Sequence, residues 1–184
     1  MTASTYHLSF SLPGIWTWID IGSESIEDAI DRLPPETRID AIDFLARAII
    51  AREGGTELLG VCTDLEGVPV DVQLELAHAN IVPRADGEPR VPIETAAWAY
   101  RVYYGRPPEL DDMFDGPNGL PVLRYQHSDA EAVSYVCTAP GDDEPVLVRI
   151  SSHEPGSRDA LSEMGDAILI MSSWIQNASG ATPA

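Results

Sequence analysis

Residues 68–79, VPVDVQLELAHA, alternate apolar Val70, Val72, Leu74 and Leu76 with polar Asp71, Gln73 and Glu75. A period of two over that length specifies an extended strand with one face toward a core. A wet second face points to an antiparallel sheet. The pattern recurs along the chain. TELLGVCTD, residues 56–64, precedes that strand across Leu65-Glu66-Gly67. ELDDMFD and LPVLRYQH frame Gly116-Pro117-Asn118-Gly119, and EAVSYVCTAP and EPVLVRISS frame Gly141-Asp142-Asp143. Two strand-like runs around a Gly-rich turn read as an antiparallel hairpin.

The first strands carry a question of their own. Over residues 6–12, YHLSFSL, Tyr6, Leu8, Phe10 and Leu12 share one face before Pro13-Gly14 breaks the run in SFSLPGIWTWIDI, residues 9–21. Ile15, Thr17, Ile19 and Ile21 then oppose Trp16 and Trp18. The Pro-Gly pair predicts a hairpin between 6–12 and 15–21. The tryptophans are expected on the sheet face opposite the isoleucines, under a helix; an exposed aromatic recognition strip is the alternative.

Helical spacing appears between the strands. Ser23 to Leu33 has serine caps, early acids and Ile26, Ile30 and Leu33 at helical intervals, and Pro34-Pro35 stops it. Ile39, Ile42, Leu45 and Ile49 predict a second helix from Pro35 to about Glu53, closed by Gly54-Gly55. Residues 80–92, with three prolines and no period, read as a long loop. IETAAWAYRVYY, between Pro92 and Gly105, reads as a third helix. Leu161, Met164, Ile168, Met171 and Ile175 predict a closing helix over about 158–176, docked on the sheet. The expected fold is therefore α+β: one domain over residues 1–176, a central antiparallel sheet flanked by helices as an α/β/α sandwich, then a loose tail over 177–184.

Charge narrows function. The 184 residues carry 30 acidic side chains against 11 basic ones, a net charge of −19, and all the basic ones are arginine. A Gly-Lys-Ser/Thr phosphate loop and a Schiff-base lysine are thereby excluded, and a field this negative repels a phosphate backbone. Nucleic acid is not an expected partner. Nor is a membrane, since no apolar run reaches spanning length and the N-terminal MTASTYHLSF lacks a signal pattern; the expected location is cytoplasmic. In a reducing compartment Cys62 and Cys137, both in Val-Cys-Thr, are expected as buried free thiols.

Catalytic and metal signatures are sparse. His7, His78, His127 and His153 fall on or at the ends of predicted strands, without His-Glu-x-x-His or paired-cysteine spacing. Gly-x-Ser-x-Gly is missing, and His127-Ser128-Asp129 cannot converge as a triad from adjacent strand positions. The acidic runs ELDDMFD and GDDE lack the ligand spacing of a calcium loop and read as solvated turns. No cofactor and no metal is expected. Arg84, Arg90, Arg101 and Arg106 cluster with Trp98, Tyr100, Tyr103 and Tyr104 in the least acidic stretch, a candidate partner-facing patch. The expected function is a non-catalytic accessory protein acting through protein–protein contacts. Two alternatives stand beside it: a small hydrolase or metal-dependent enzyme using His127 and His153, and an acidic escort of a basic partner.

The pattern also resembles the PsbP-like group, named for an extrinsic photosystem II subunit and sharing its fold with the Ran-binding Mog protein. Phe10, Pro13 and Trp16 in FSLPGIW, the DGPNGLPVLR turn and strand, and the closing GDAILIMSSWI segment carry the resemblance. It implies an antiparallel sheet between helical layers and a binding or scaffolding role, and it transfers no catalytic residues. The absence of an export signal departs from the group's exported members.

Overall fold

The computed structural model describes residues 6–20, 58–65, 68–78, 110–127, 131–140 and 145–176, with single positions at 28, 31, 46, 48 and 49. The three hairpins marked by glycine turns all form. They are β3 (Leu58–Leu65) with β4 (Val68–His78), β5 (Leu110–Asp115) with β6 (Pro121–Gln126), and β7 (Ala132–Thr138) with β8 (Pro145–Ser152). The β4–β8 pairing, with Leu76 opposite Val148, stitches the first hairpin to the others. With β2 (Ile15–Asp20) on the outside of β3, the result is a seven-stranded antiparallel sheet ordered β2-β3-β4-β8-β7-β6-β5.

The expected opening hairpin does not form. β1 (Tyr6–Ser9) leaves β2 and pairs instead with β9 (Ser173–Gln176), near the other end of the chain, as a separate two-stranded sheet. Gly14 adopts φ +81°, and the Trp16 indole N–H donates to the Pro13 carbonyl at 2.6 Å. That contact fixes a local bend, and the bend sends the two strands to different sheets.

The closing helix is also shorter than its apolar stripe suggests. α1 spans Arg158–Met171, and Ser172 (ψ 162°) turns the chain into β9, so Ile175 lies on a strand. The Ser172 hydroxyl donates to the Ile168 carbonyl at 2.6 Å and satisfies one of the free carbonyls of the last turn. At the other end the Glu131 carboxylate accepts the Arg158 N–H at 3.0 Å, doing for α1 what an N-cap side chain does.

These departures overturn the α+β sandwich. Strands dominate the described residues, and α1, the one continuous helix among them, packs across β7 and β8 on one face. Much of the rest of that face is covered by β1, β9 and the chain following β1, through Tyr6, Leu8, Phe10, Leu12 and Trp174, where helical cover was expected. Trp16 and Trp18 do lie on the face opposite buried Ile19, as expected. They are half-buried and stacked on each other at 5.8 Å, with Phe10 stacked on Trp18 at 6.4 Å, so among the described residues their cover is aromatic. Gly60 makes room beneath: a Cβ there would lie 2.7 Å from the Trp18 ring.

The core beneath α1 holds Val72, Leu74, Val133, Tyr135, Val148, Ile150, Leu161, Ile168 and Leu169. Apolar residues of the opposite sheet face, Leu59, Val61, Leu123, Tyr125, Val136 and Leu147, are buried as well. Cys62 and Cys137 are buried free thiols, in line with expectation. Asp28, Ala46, Ala48 and Ile49 are helical positions. Asp31 is a turn position, and the remainder of the helices expected over 23–33 and 35–53, the loop 80–92, the helix from Ile93 to Tyr104 and the tail 177–184 lie outside the described residues. Among the described residues no helix is long and apolar enough to cross a membrane.

Candidate functional site

Among the described residues, the densest polar cluster sits where the edge of the sheet meets α1. The β5–β6 register is irregular between Leu110 and Asp112, leaving Asp111 as an extra residue. A bulge of this kind turns neighbouring side chains to one side of the strand. Here Asp111 and Asp112 both reach Arg124, the cross-strand partner of Asp112 on β6. The Arg124 Nε donates to Asp111 Oδ2 at 2.6 Å, and Nη2 lies 3.5 Å from Asp112 Oδ2. Its Nη1 donates to Asp166 Oδ2 of α1. On the next strand the Tyr135 hydroxyl lies 3.0 Å from Asp166 Oδ1 and 3.1 Å from the Ser162 carbonyl. Phe114 packs edge-on against the Tyr135 ring at 6.3 Å.

Three carboxylates share one guanidinium in this network, so negative charge is in excess. Burial raises the Asp166 carboxyl above its usual range, and Asp112 adds to the effect against the opposing pull of Tyr135 and Arg124. Burial also raises the Tyr135 phenol, as does the Asp166 charge. For Arg124 burial works toward a lower value, but the Asp111 hydrogen bond and the charges of Asp166 and Asp111 outweigh it and leave the guanidinium more basic than usual. A phenol held neutral and a guanidinium held charged, each bonded to a carboxylate, form a closed structural network. Chemically it ties the edge strand to β6, β7 and α1.

A second polar row crosses the opposite face. Arg149 Nη1 donates to Glu75 Oε1 at 2.7 Å, and Gln73 Nε2 donates to the same oxygen at 3.0 Å. Ser134 is the cross-strand neighbour of Arg149, and its hydroxyl is 2.7 Å from His127 Nε2. Ser134 is fully buried, so this Ser–His contact has no open approach for a substrate carbonyl.

The candidate residues named from sequence fare unevenly. Arg84, Arg90, Trp98, Tyr100, Arg101, Tyr103, Tyr104 and Arg106 lie outside the described residues. His7 is on β1 and exposed, His78 ends β4, His127 follows β6, and His153 is exposed beyond β8. The structure does not bring these histidines into a common cluster: among the described residues no three His, Cys, Asp or Glu side chains converge as metal ligands. Ser128 and Asp129 lie outside the described residues, and His127 bonds to Ser134. ELDDMFD, expected as the first strand of a hairpin and, for its acids, as solvated, is largely the edge strand β5, with Asp111 and Asp112 paired to Arg124. The residues that sequence reasoning missed are Asp111, Asp112, Arg124, Tyr135 and Asp166. Counting back from the Gly116–Gly119 turn places Arg124 opposite Asp111 and beside Asp112, so part of the network had a signal; the observed register takes Leu120 into the loop and pairs Arg124 with Asp112.

Large apolar side chains are also exposed on two separate elements, the β5 edge and the α1–β9 junction. Leu110 and Met113 on β5, Ile170 and Met171 at the end of α1 and Ile175 on β9 are each between 44% and 58% exposed. No model of a known protein family matches this chain, and no curated protein matches it. The PsbP-like resemblance thus has no match behind it, and the strand-dominated architecture departs from the helical layering it implies.

Proposed function

We propose that this chain is a non-catalytic, adaptor-like binding protein of the cytoplasm that acts through protein–protein contacts. The supporting observation is the placement of large exposed apolar side chains, Leu110, Met113, Ile170, Met171 and Ile175, at the β5 edge and the α1–β9 junction. Scattered exposed apolar residues need no explanation; their placement on an edge strand and at a helix end, two elements open to a partner, is what supports recognition. The titratable groups nearby are consumed in ion pairs with one another, which suits anchoring better than proton transfer. The small-hydrolase alternative has the His127–Ser134 contact in its favour and the burial of Ser134 against it.

Affinity capture with the tagged full chain, followed by identification of what is retained, tests the reading. The expected result is a partner retained by the parent and lost on Leu110→Asp or Met171→Asp, with both variants melting as the parent does. Recovery of no partner, together with turnover of a small molecule, overturns it.

A further inference from the structure

We propose that β5 receives an extended, basic segment of a partner protein as an added strand of the sheet, an inference that rests on the binding reading above. Among the described residues β5 ends the sheet and pairs only with β6. Five of its six residues are exposed, and beyond β6 the polar contacts of its described residues are those to Arg124 and one internal contact. That internal contact marks the open side. The Met113 N–H donates to its neighbour Asp112 Oδ1 at 2.8 Å, so a side-chain carboxylate occupies the place of a partner strand's carbonyl. Edge strands left open in this way are templates for strand addition, and charge on them decides which strands are admitted.

Chemistry of the edge names the occupant. From Asp112 to Asp115 the register with β6 is regular, and the sequence reads Asp-Met-Phe-Asp. An added antiparallel strand would set its own residues against each of these. Asp112 and Asp115 call for cations, Met113 and Phe114 for apolar side chains between them. The incoming segment therefore carries two basic residues three positions apart around an apolar pair. A cation opposite Asp112 also frees the Met113 amide by drawing the carboxylate away, whereas an uncharged strand must displace that carboxylate without compensation. A second copy of this chain is disfavoured, because its β5 would bring acids against acids within a protein of net charge −19. The template is also preformed: Arg124 fastens Asp111 and Asp112 to β6 and, through Asp166, to α1, which lowers the ordering cost of adding a strand.

The test uses the full chain and a short synthetic peptide centred on Lys-Val-Val-Lys, its Glu-Val-Val-Glu counterpart, and a version methylated on alternate backbone nitrogens. Binding is read by fluorescence polarisation at low and high salt, and by amide exchange over residues 110–115. The expected result is binding of the basic peptide that weakens with salt, loss on backbone methylation, and slowed exchange of the Met113 amide. Asp115→Lys, an exposed position outside the Arg124 network, is expected to weaken the basic peptide at least about tenfold and to improve the acidic one. No binding of the basic peptide overturns strand addition, as does binding indifferent to Asp115→Lys and to methylation. A captured partner that is lost on Met171→Asp but kept on Asp115→Lys removes strand addition alone and leaves the binding reading in place.

Discussion

Tyr135 on β7 packs directly against Gly165 on α1: a Cβ at Gly165 would come within 2.6 Å of the Tyr135 ring carbons. The glycine lets the helix approach the sheet closely enough for the phenol to reach both Asp166 and the Ser162 carbonyl. In an exposed helix, replacing glycine with alanine stabilises by about 1 kcal/mol. Here overpacking opposes that gain, and Gly165→Ala is expected to lose about 1–3 kcal/mol in urea unfolding. Introduced together with Tyr135→Ala, the same change is expected to cost less than it does alone, because the clash is gone. Equal costs in the two backgrounds would show that the two side chains do not contend for the space.

The raised carboxyl of Asp166 makes stability depend on pH with a definite sign. A carboxyl whose folded-state pKa lies above its unfolded value takes up its proton in the folded protein first. Its contribution is fully present below the unfolded value of about 3.9 and is lost as pH rises through the raised folded value. Asp166→Asn removes this component. The stability of the parent relative to Asp166→Asn is therefore expected to fall as pH is raised from about 4 to neutrality. Chemical denaturation of both proteins across that range checks it; a difference that grows with pH reverses the sign and refutes it.

What the sequence disclosed followed the range of the interactions. The β3–β4, β5–β6 and β7–β8 hairpins were legible because alternation and turn glycines lie within a few residues of one another. The β1–β9 pair was not, since Tyr6 and Gln176 meet only after the whole sheet is built and nothing in YHLS or SWIQ names the other. Ile175 falls on the helical spacing of Ile168 and Met171, so it extended the apparent helix, while Ser172 and the bond that the Trp174 N–H donates to Asn118 Oδ1 turn that segment into a strand. Hairpin register from the Gly116–Gly119 turn brings Arg124 to Asp111 and Asp112 within one residue, and Leu120 joining the loop sets the observed Asp112–Arg124 pair. The contacts of Arg124 and Tyr135 with Asp166 depend on where α1 docks, which periodicity does not specify.

Both cysteines should be silent to reagents in the folded state. Cys137 is wholly buried, and burial pushes its thiol up to about 12; Cys62 is buried too. The thiolate is the reactive form, so alkylation needs both an opening of the core and a proton loss that the site opposes. Iodoacetamide at mildly alkaline pH is expected to label neither residue in native protein and both after unfolding in guanidinium. Rapid labelling of Cys137 in the native state, read by mass spectrometry, would place it on an accessible surface.

The α1–β9 segment separates stability from recognition within a few residues. Leu161, Ile168 and Leu169 are buried against the sheet, whereas Ile170 and Met171, adjoining them in sequence, face outward. A truncation at Ile168 removes buried methyl groups and leaves a cavity between α1 and the sheet, so Ile168→Ala is expected to cost about 2–5 kcal/mol. Met171→Ala and Glu163→Ala, at exposed positions, should each stay within roughly 0.5 kcal/mol. If the outward residues form the recognition surface, Met171→Ala weakens partner retention while leaving the melt unchanged, and Glu163→Ala alters neither. Urea melts of the three variants set beside affinity capture decide the matter. Should Ile168→Ala melt with the parent, α1 is not docked as described; should Met171→Ala destabilise as Ile168→Ala does, its exposure is not the free surface that recognition requires.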